Sequence, residues 1–216
     1  MARGVVRGMG VVLLVAGLGL LGWVGWQYFG TGITSNHAMD DLKRDLHDDW
    51  QPSVAKPPDE KPPAAKAEAG TPIVLLRIPK FGQDWEKPVL EGVAKDDLTR
   101  GIGHYPETQL PGEPGNFAIA GHRVTHGSPF GRLLELKKGD QVVVETADAV
   151  YTYELDGSPR DLTVEPADNW VLEPVPGKPR ETPATSIITL TTCQDLFHSP
   201  DRSVAFGHLV KADKKP

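Results

Sequence analysis

The chain has 216 residues, of which 39% are hydrophobic, and its formal net charge is −6. That length suits one ordinary domain with additional segments, and the acidic balance excludes the basic surface that nucleic-acid-binding domains carry. The single cysteine excludes an internal disulfide framework and a zinc site built from several thiolates.

The first element in the chain is an uncharged stretch from Gly8 to Phe29. As a helix it spans roughly 33 Å, enough to cross a bilayer core of about 30 Å. Arg3 and Arg7 precede it and aspartates follow it between residues 40 and 49, so the positive-inside bias predicts a cytoplasmic segment 1–7, a transmembrane helix 8–29 and an extracellular remainder. A cleaved signal peptide is the alternative, although its apolar stretch is normally about 7 to 15 residues long.

Residues 30–72 form a juxtamembrane segment with two parts. In the first part, Leu42, Leu46 and Trp50 recur at the spacing of one apolar stripe on a short helix, among charged residues. We interpret this helix as solvated, and the alternative is that it docks on the following domain or on a membrane partner. The second part, residues 51–72, is rich in proline, alanine, lysine and glutamate, which predicts a stiff, extended spacer between the membrane and the domain.

From Ile73 onward, short runs rich in β-branched residues alternate with glycine, proline and aspartate, which predicts a mainly β domain over residues 73–216. The clearest predicted strands are Ile73–Ile78, Phe117–Gly121, Gln141–Thr146, Val150–Leu155, Ser186–Thr192 and Ser203–Val210. The third and fourth strands are joined by a short turn and predict a β-hairpin. Asp96–Arg100 and Arg132–Leu136 allow at most a turn or two of helix. Short strands with so few helices indicate a closed barrel or a sandwich.

The single thiol, Cys193, ends the run Thr189-Leu190-Thr191-Thr192. On residue type alone, a free cysteine is most often a buried small hydrophobe. In an exported protein, however, a lone thiol has to be buried or used, because an exposed one oxidises or pairs with other chains. A catalytic thiol needs a base or an ion-pair partner, since an unperturbed thiol, with a pKa of about 8.5, is mostly protonated at neutral pH.

Two further residues stand at the ends of predicted strands. His122 closes a strand in Ala120-Gly121-His122-Arg123, from which it can emerge into a cleft as the base that a thiol needs. Arg202 opens the strand after Cys193 and can offer a fixed charge to a developing oxyanion. Each of the two, taken alone, is more often an ordinary strand-end residue, so the catalytic interpretation depends on their combination.

Together these three segments resemble the sortase family. Thr189–Cys193 is similar to the TLxTC motif of that family, Ala120–His122 to its histidine strand, and Arg202 to its downstream arginine. The resemblance covers residues 73–210. Three stretches resemble the class E sortases of Gram-positive actinobacteria, and they are GHYP at 103–106, LPGEPGN at 110–116 and AIAGHR at 118–123.

This resemblance implies an eight-stranded β-barrel with the cysteine and the arginine at the ends of its seventh and eighth strands. It also implies cleavage of an LPxTG or LAxTG sorting signal between threonine and glycine, and transfer of the threonine carbonyl to a cell-wall amine. Cys193 would form a thioester, and His122 would act as general acid and then as general base. Arg202, with backbone N–H groups near Thr192, would stabilise the oxyanion.

The partners implied by the resemblance are secreted proteins that carry a sorting signal, a peptidoglycan-precursor amine and the lipid bilayer. No metal and no cofactor are implied. Thr192 and His126 are the candidate substrate-binding residues. Many class E members have tyrosine where His126 stands, near the site that binds the second residue of the signal, so the choice between LAxTG and LPxTG stays open. His104 and His208 are interpreted as structural.

Three other functions remain to be weighed. L,D-transpeptidases are also exported, β-rich and cysteine-dependent, but their cysteine closely follows a histidine and a Ser-x-Gly motif, whereas no cysteine is near His126-Gly127-Ser128. A peptidase that only hydrolyses its thioester is not distinguished from a transpeptidase by the sequence. The non-enzymatic alternative is a membrane-tethered β-domain that binds a cell-wall component or a partner protein, with Cys193 buried.

Overall fold

The computed structural model describes residues 2–26, 30–50, 67–193 and 200–215. Two long helices come first: α1 spans Ala2–Gly25 and α2 spans Thr31–Trp50. Within the described residues, α1 is the one helix that is long and apolar enough to cross a membrane, with a mean hydropathy of 2.1 over Gly4–Gly25. It begins earlier than the predicted span 8–29.

The β domain consists of short strands connected by loops. In chain order the strands are β1 (Pro72–Arg77), β2 (Glu86–Glu91), β3 (Ile102–His104), β4 (Gly115–Ala120), β5 (Gln141–Glu145), β6 (Ala149–Leu155), β7 (Thr163–Val164), β8 (Ser186–Cys193) and β9 (Arg202–Lys214). One short helix, α3 (Lys95–Arg100), lies between β2 and β3, and 3₁₀ turns cover Pro79–Phe81, Leu133–Glu135 and Asn169–Leu172.

Eight of these strands close into a barrel in the order β6-β5-β1-β2-β3-β4-β8-β9, with β9 pairing back onto β6. The pairs β2–β3 and β4–β8 are parallel, and the other barrel pairs are antiparallel. The two-residue β7 pairs with the start of β9, outside the ring. Closure leaves no open sheet edge in the barrel. The predicted eight-stranded barrel is thus confirmed.

The six strands predicted from the sequence correspond to β1, β4, β5, β6, β8 and β9, and the predicted hairpin is the β5–β6 pair. β2 and β3 were not predicted. β2 contains Pro88, which has no N–H for a ladder and therefore interrupts the strand pattern in the sequence. β3 has only three residues, too few for an alternation to be visible.

The barrel interior is filled by large apolar side chains from nearly every strand. The completely buried ones include Leu76, Ile102, Phe117 and Leu190, and burial of each such side chain stabilises the fold by about 1.5 to 3 kcal/mol. Tyr153 is also completely buried, and its hydroxyl accepts a hydrogen bond from the N–H of Gly112 at 2.9 Å. The barrel core therefore tolerates this polar group because it is hydrogen-bonded.

Helix α2 packs on the barrel, which shows that the interpretation of it as a solvated helix was wrong. Ser35, Met39, Leu42 and Leu46 lie on one face of the helix and are at most 6% exposed, and this face contacts β1, β2 and α3. The apolar stripe begins with Met39, before the leucines that the sequence interpretation used. The aspartates of α2 lie on its outer face, as in an ordinary amphipathic surface helix.

The predicted spacer falls on residues 51–66, which lie outside the described residues. The elements on either side of it, α2 and β1, contact each other on the same barrel. In chain order, α2 therefore contacts the barrel before the proline-rich segment is reached.

Candidate active site

Three adjacent strands bring the predicted catalytic residues to one end of the barrel. β8 lies between β4 and β9, and Cys193 is paired with Arg202 in the β8–β9 ladder. In the parallel β4–β8 ladder, Ala120 is paired with Thr191, and the N–H of the next residue, Gly121, donates to the carbonyl of Thr191 at 3.2 Å. His122, two residues beyond the end of β4, is thereby level with Cys193, which lies two residues after Thr191.

The threonines that precede Cys193 hold β8 to β4. Thr192 is 2% exposed, and its hydroxyl donates to the carbonyl of Gly121 at 2.9 Å. The hydroxyl of Thr191 donates to the carbonyl of Ile119 at 3.2 Å. The side chain of Thr192 is buried and hydrogen-bonded to the backbone of Gly121. The predicted contact of Thr192 with a substrate would therefore have to come from its backbone.

Gly121 is required by the close approach of an aromatic ring. A Cβ atom at this position would lie 2.8 Å from Cδ2 of Phe130, which is closer than carbon atoms pack. Phe130 is completely buried, and its N–H donates to the carbonyl of His122 at 3.0 Å. Because Gly121 has no side chain, Phe130 can pack against the backbone between the end of β4 and His122.

The imidazole of His122 is partly buried, and within the described residues its Nε2 has no hydrogen-bond partner. Burial, and to a smaller extent the neighbouring charges of His126 and Arg202, lower the pKa of His122 from 6.5 to about 4. At neutral pH, His122 is therefore an uncharged imidazole. Such a group can accept a proton from a nearby thiol or amine.

His126 lies against His122. Its ring stacks on the ring of His122 with centroids 4.7 Å apart and planes inclined by 28°. Nδ1 of His126 lies 2.9 Å from the hydroxyl of Thr125. Burial, and then the charge of Lys95, lower the pKa of His126. The structure thus places this predicted substrate-binding residue in direct contact with the candidate base.

Arg202 begins β9 directly opposite the last residue of β8. Its Nη1 donates to the carbonyls of Pro200 and Asp201, the latter at 3.2 Å. These contacts hold the guanidinium close to the strand end that carries Cys193. A fixed cation at this point is suited to stabilise negative charge that develops on a carbonyl oxygen.

Two other residues, Tyr105 and Thr31, contact the candidate active site, and the sequence did not indicate either contact. The hydroxyl of Tyr105 lies 3.5 Å from that of Thr191, two residues before the cysteine. From α2, the hydroxyl of Thr31 accepts a hydrogen bond from the N–H of His126 at 3.4 Å. Tyr105 was visible within a class E-like stretch, whereas the role of α2 depends on a contact between distant parts of the chain.

The histidines that were interpreted as structural are each engaged in a pair. Nδ1 of His104 lies 2.7 Å from Oε2 of Glu91, and both residues are buried. Nδ1 of His208 lies 2.7 Å from Oδ1 of Asp156 on the surface. Among the described residues, no group of three or more histidine, cysteine or acidic side chains is arranged to hold a metal ion.

Comparison with known proteins relates this arrangement to one family. A family model described as "Sortase domain" matches residues 76–210, more than half of the chain. The curated relative sortase SrtE1 of Streptomyces coelicolor is 34% identical over 212 residues, which cover 95% of this chain and 57% of that relative. The chain therefore spans little more than half the length of SrtE1.

Solved structures agree with this match. Sortase E from Streptomyces avermitilis superposes with a TM-score of 0.61 at 37% identity, over 69% of this chain and 97% of that chain. Sortase E1 from Streptomyces coelicolor, solved with a tripeptide in the active site, superposes with a TM-score of 0.58 at 34% identity, over 69% and 98% of the two chains. The chain therefore belongs to the sortase family, in which it resembles the class E members.

Proposed function

We propose that this protein is a membrane-anchored cysteine transpeptidase. It cleaves a sorting signal of the LAxTG or LPxTG type between threonine and glycine and joins the threonine carbonyl to a cell-wall amine. The observation that carries the proposal is the meeting of His122, Cys193 and Arg202 at one end of β4, β8 and β9, in a chain that belongs to the sortase family. The tripeptide in the active site of the similar sortase E1 supports a peptide substrate.

The first half-reaction forms the thioester. His122, uncharged at neutral pH because of its lowered pKa, accepts the thiol proton while the sulfur of Cys193 attacks the threonine carbonyl carbon. The negative charge on the carbonyl oxygen develops beside Arg202. The imidazolium then gives its proton to the glycine nitrogen as the carbon–nitrogen bond breaks. The general-acid role implied by the resemblance thus uses a proton that comes from the thiol.

The second half-reaction transfers the acyl group. The acceptor amine, proposed to belong to a peptidoglycan precursor, attacks the thioester carbon, and His122 accepts a proton from its nitrogen. The carbon–sulfur bond breaks, an amide forms, and the sulfur leaves as a thiolate, which takes up the proton from His122. Water in place of the amine would give hydrolysis instead, so access of the amine determines the ratio of the two products.

We place the catalytic barrel outside the cell. The length and mean hydropathy of α1 support its role as the membrane anchor, and Arg3 and Arg7 support a cytoplasmic N-terminus. The proposed protein substrates are accordingly secreted proteins with a C-terminal sorting signal. The bilayer itself is the third partner.

The test uses the full-length protein in detergent with LAxTG and LPxTG peptides and an amine acceptor, and the product masses are compared. We expect a threonine–amine product from the wild type and none from Cys193→Ala or His122→Gln. His208→Gln is the matched control, because it makes the same change at an exposed histidine, and it should keep the activity. The preferred peptide shows what His126 does to recognition of the signal.

A second pair of variants tests the charge at the oxyanion. Arg202→Gln should lower kcat by a factor of about 100 or more if it removes oxyanion stabilisation, whereas Arg180→Gln, at an exposed site, should not. If folded wild-type protein gives neither a product nor a thioester, and its thiol resists alkylation, the transpeptidase proposal fails. That outcome would favour the non-catalytic β-domain.

A further inference from the structure

We propose that helix α2 is part of the active site. It holds the turn at residues 125–128, which carries His126, and thereby keeps the ring of His126 against the ring of His122. The residues that do this are Thr31, Asn36 and Met39, all outside residues 76–210 that match the family domain. They act as positioning residues. The inference rests on the proposed function in taking His122 as the catalytic base.

The contacts between α2 and the turn are direct. The N–H of His126 donates to the hydroxyl of Thr31 at 3.4 Å. A Cβ atom added to Gly127 would lie 2.7 Å from Oδ1 of Asn36 and 2.8 Å from Cε of Met39. The backbone of Gly127 therefore lies against the side chains of Asn36 and Met39, and its φ of 74° favours glycine at this position.

The turn itself needs outside support. His126, Gly127 and Ser128 have φ angles of 54°, 74° and 45°, so three consecutive residues are in the left-handed region. For the two that are not glycine, this conformation is strained and persists only where the surroundings hold it. The turn has one internal backbone hydrogen bond, from the N–H of Ser128 to the carbonyl of Thr125 at 2.9 Å. Helix α2 supplies the contacts on its other side.

The contacts from α2 to the turn continue through His126 to His122, the candidate base. The stacking of His126 on His122, with centroids 4.7 Å apart, covers one face of the catalytic ring and keeps water from it. The charged groups near the pair from other described elements are Arg202 of β9 and Lys95 of α3, together with Arg100 of α3, which lines the same pocket as His126. The side chains that α2 presents to the turn do not titrate. Its effect on His122 is therefore one of position and of exclusion of water.

In the chain, α2 lies between the candidate membrane anchor and the barrel. α2 follows α1, the candidate membrane anchor, and is anchored to the barrel by Leu42 and Leu46. The helix that connects the membrane to the domain therefore also supports the turn beside the catalytic histidine. The catalytic geometry then depends on residues that a fragment beginning at β1 would lack.

The experiment compares two buried residues on the same face of α2 in the full-length protein. Met39 contacts the turn, whereas Leu46, 4% exposed, packs further along the helix. The titration of His122 is followed by NMR of the imidazole Cε1–H, assigned with His122→Gln, and thermal unfolding is measured alongside. This readout needs no turnover, so it still tests the inference if the wild type forms no transpeptidation product.

We expect Met39→Ala to raise the titration midpoint of His122 by about half a pH unit or more, roughly a threefold change in its protonation equilibrium, because water reaches the ring. Met39→Leu should restore the wild-type midpoint. Leu46→Ala should lower the unfolding temperature without moving the midpoint. Thr31→Val keeps the side-chain volume and removes the acceptor for the N–H of His126. It should also raise the midpoint, by less than Met39→Ala does.

Two results would overturn the inference. One is an unchanged midpoint in both Met39→Ala and Thr31→Val. The other is an equal shift in Leu46→Ala, which would show that loosening of the helix in general, and not the contact with the turn, affects His122. If peptide turnover is present, the acid limb of its pH profile should move with the NMR midpoint in every variant.

Discussion

The imidazole rings of His122 and His126 are stacked, with their centroids 4.7 Å apart and their planes inclined by 28°. The two residues are separated by three residues in the chain, and each has a lowered pKa whose main cause is burial. The positive charge of His126 is the second cause of the lowered pKa of His122, so a change at His126 should be measurable at His122.

The first prediction concerns the charge of His126. His126→Phe keeps an aromatic ring on the face of His122 and removes the neighbouring positive charge, which is the second cause of the lowered pKa of His122. We expect this pKa to rise from about 4 partway toward 6.5, because burial remains. The acid limb of kcat/KM, measured with a sorting-signal peptide, should move to higher pH. An acid limb that stays in place or moves to lower pH would contradict the prediction. His208→Gln serves as the control.

The second prediction concerns stability against pH. The pKa of His122 is about 4 in the folded protein and 6.5 in an unperturbed histidine, so folding favours the uncharged form. Its contribution to stability is complete above about pH 6.5 and is lost as the pH falls toward 4. The unfolding temperature of the wild type should fall through this window more steeply than that of His122→Gln. Equal slopes in thermal unfolding followed by circular dichroism would show that His122 does not carry this pH dependence.

The third prediction concerns the buried pair His104–Glu91. Besides its contact with Glu91 at 2.7 Å, the ring of His104 is hydrogen-bonded through Nε2 to the hydroxyl of Thr108 at 3.0 Å and stacks on Phe117. His104→Phe should cost about 3 kcal/mol of unfolding free energy, because it leaves Glu91 buried without its partner.

Urea unfolding measures this cost, and a double-mutant cycle with Glu91→Leu provides the control. The double variant should be more stable than the sum of the two single effects predicts, since neither member of the pair is then left buried without the other. Strict additivity of the two substitutions would mean that the pair contributes nothing as a pair.

The fourth prediction concerns Gly121. Gly121→Ala places a methyl group 2.8 Å from the ring of Phe130, so we expect a loss of about 1 to 3 kcal/mol of stability from overpacking and a lower kcat, because the backbone of His122 moves. Gly157→Ala is the matched control, because its added methyl meets open space apart from one oxygen of Asp161 at 4.0 Å. Phe130→Leu should partly rescue Gly121→Ala. A fully active and stable Gly121→Ala would exclude this explanation of the glycine.

The sequence by itself determined much of the β domain. The hairpin β5–β6 was predictable because strand pattern and turn are local, and Cys193, His122 and Arg202 were predictable as candidates because their motifs resemble those of one family. β2 was not predictable, because Pro88 interrupts its pattern and its partners β1 and β3 complete the ladders only in the folded barrel.

Only the tertiary structure decided how distant segments meet. The parallel pairing of β4 with β8 brings His122 level with Cys193, and such a register depends on closure of the whole barrel. The stripe of α2 was visible in the sequence, but its partner was not, because burial of an amphipathic face depends on a complementary surface that other elements build. That surface comes from β1, β2, α3 and the turn at His126, which is why a helix expected to be solvated instead lies beside the candidate active site.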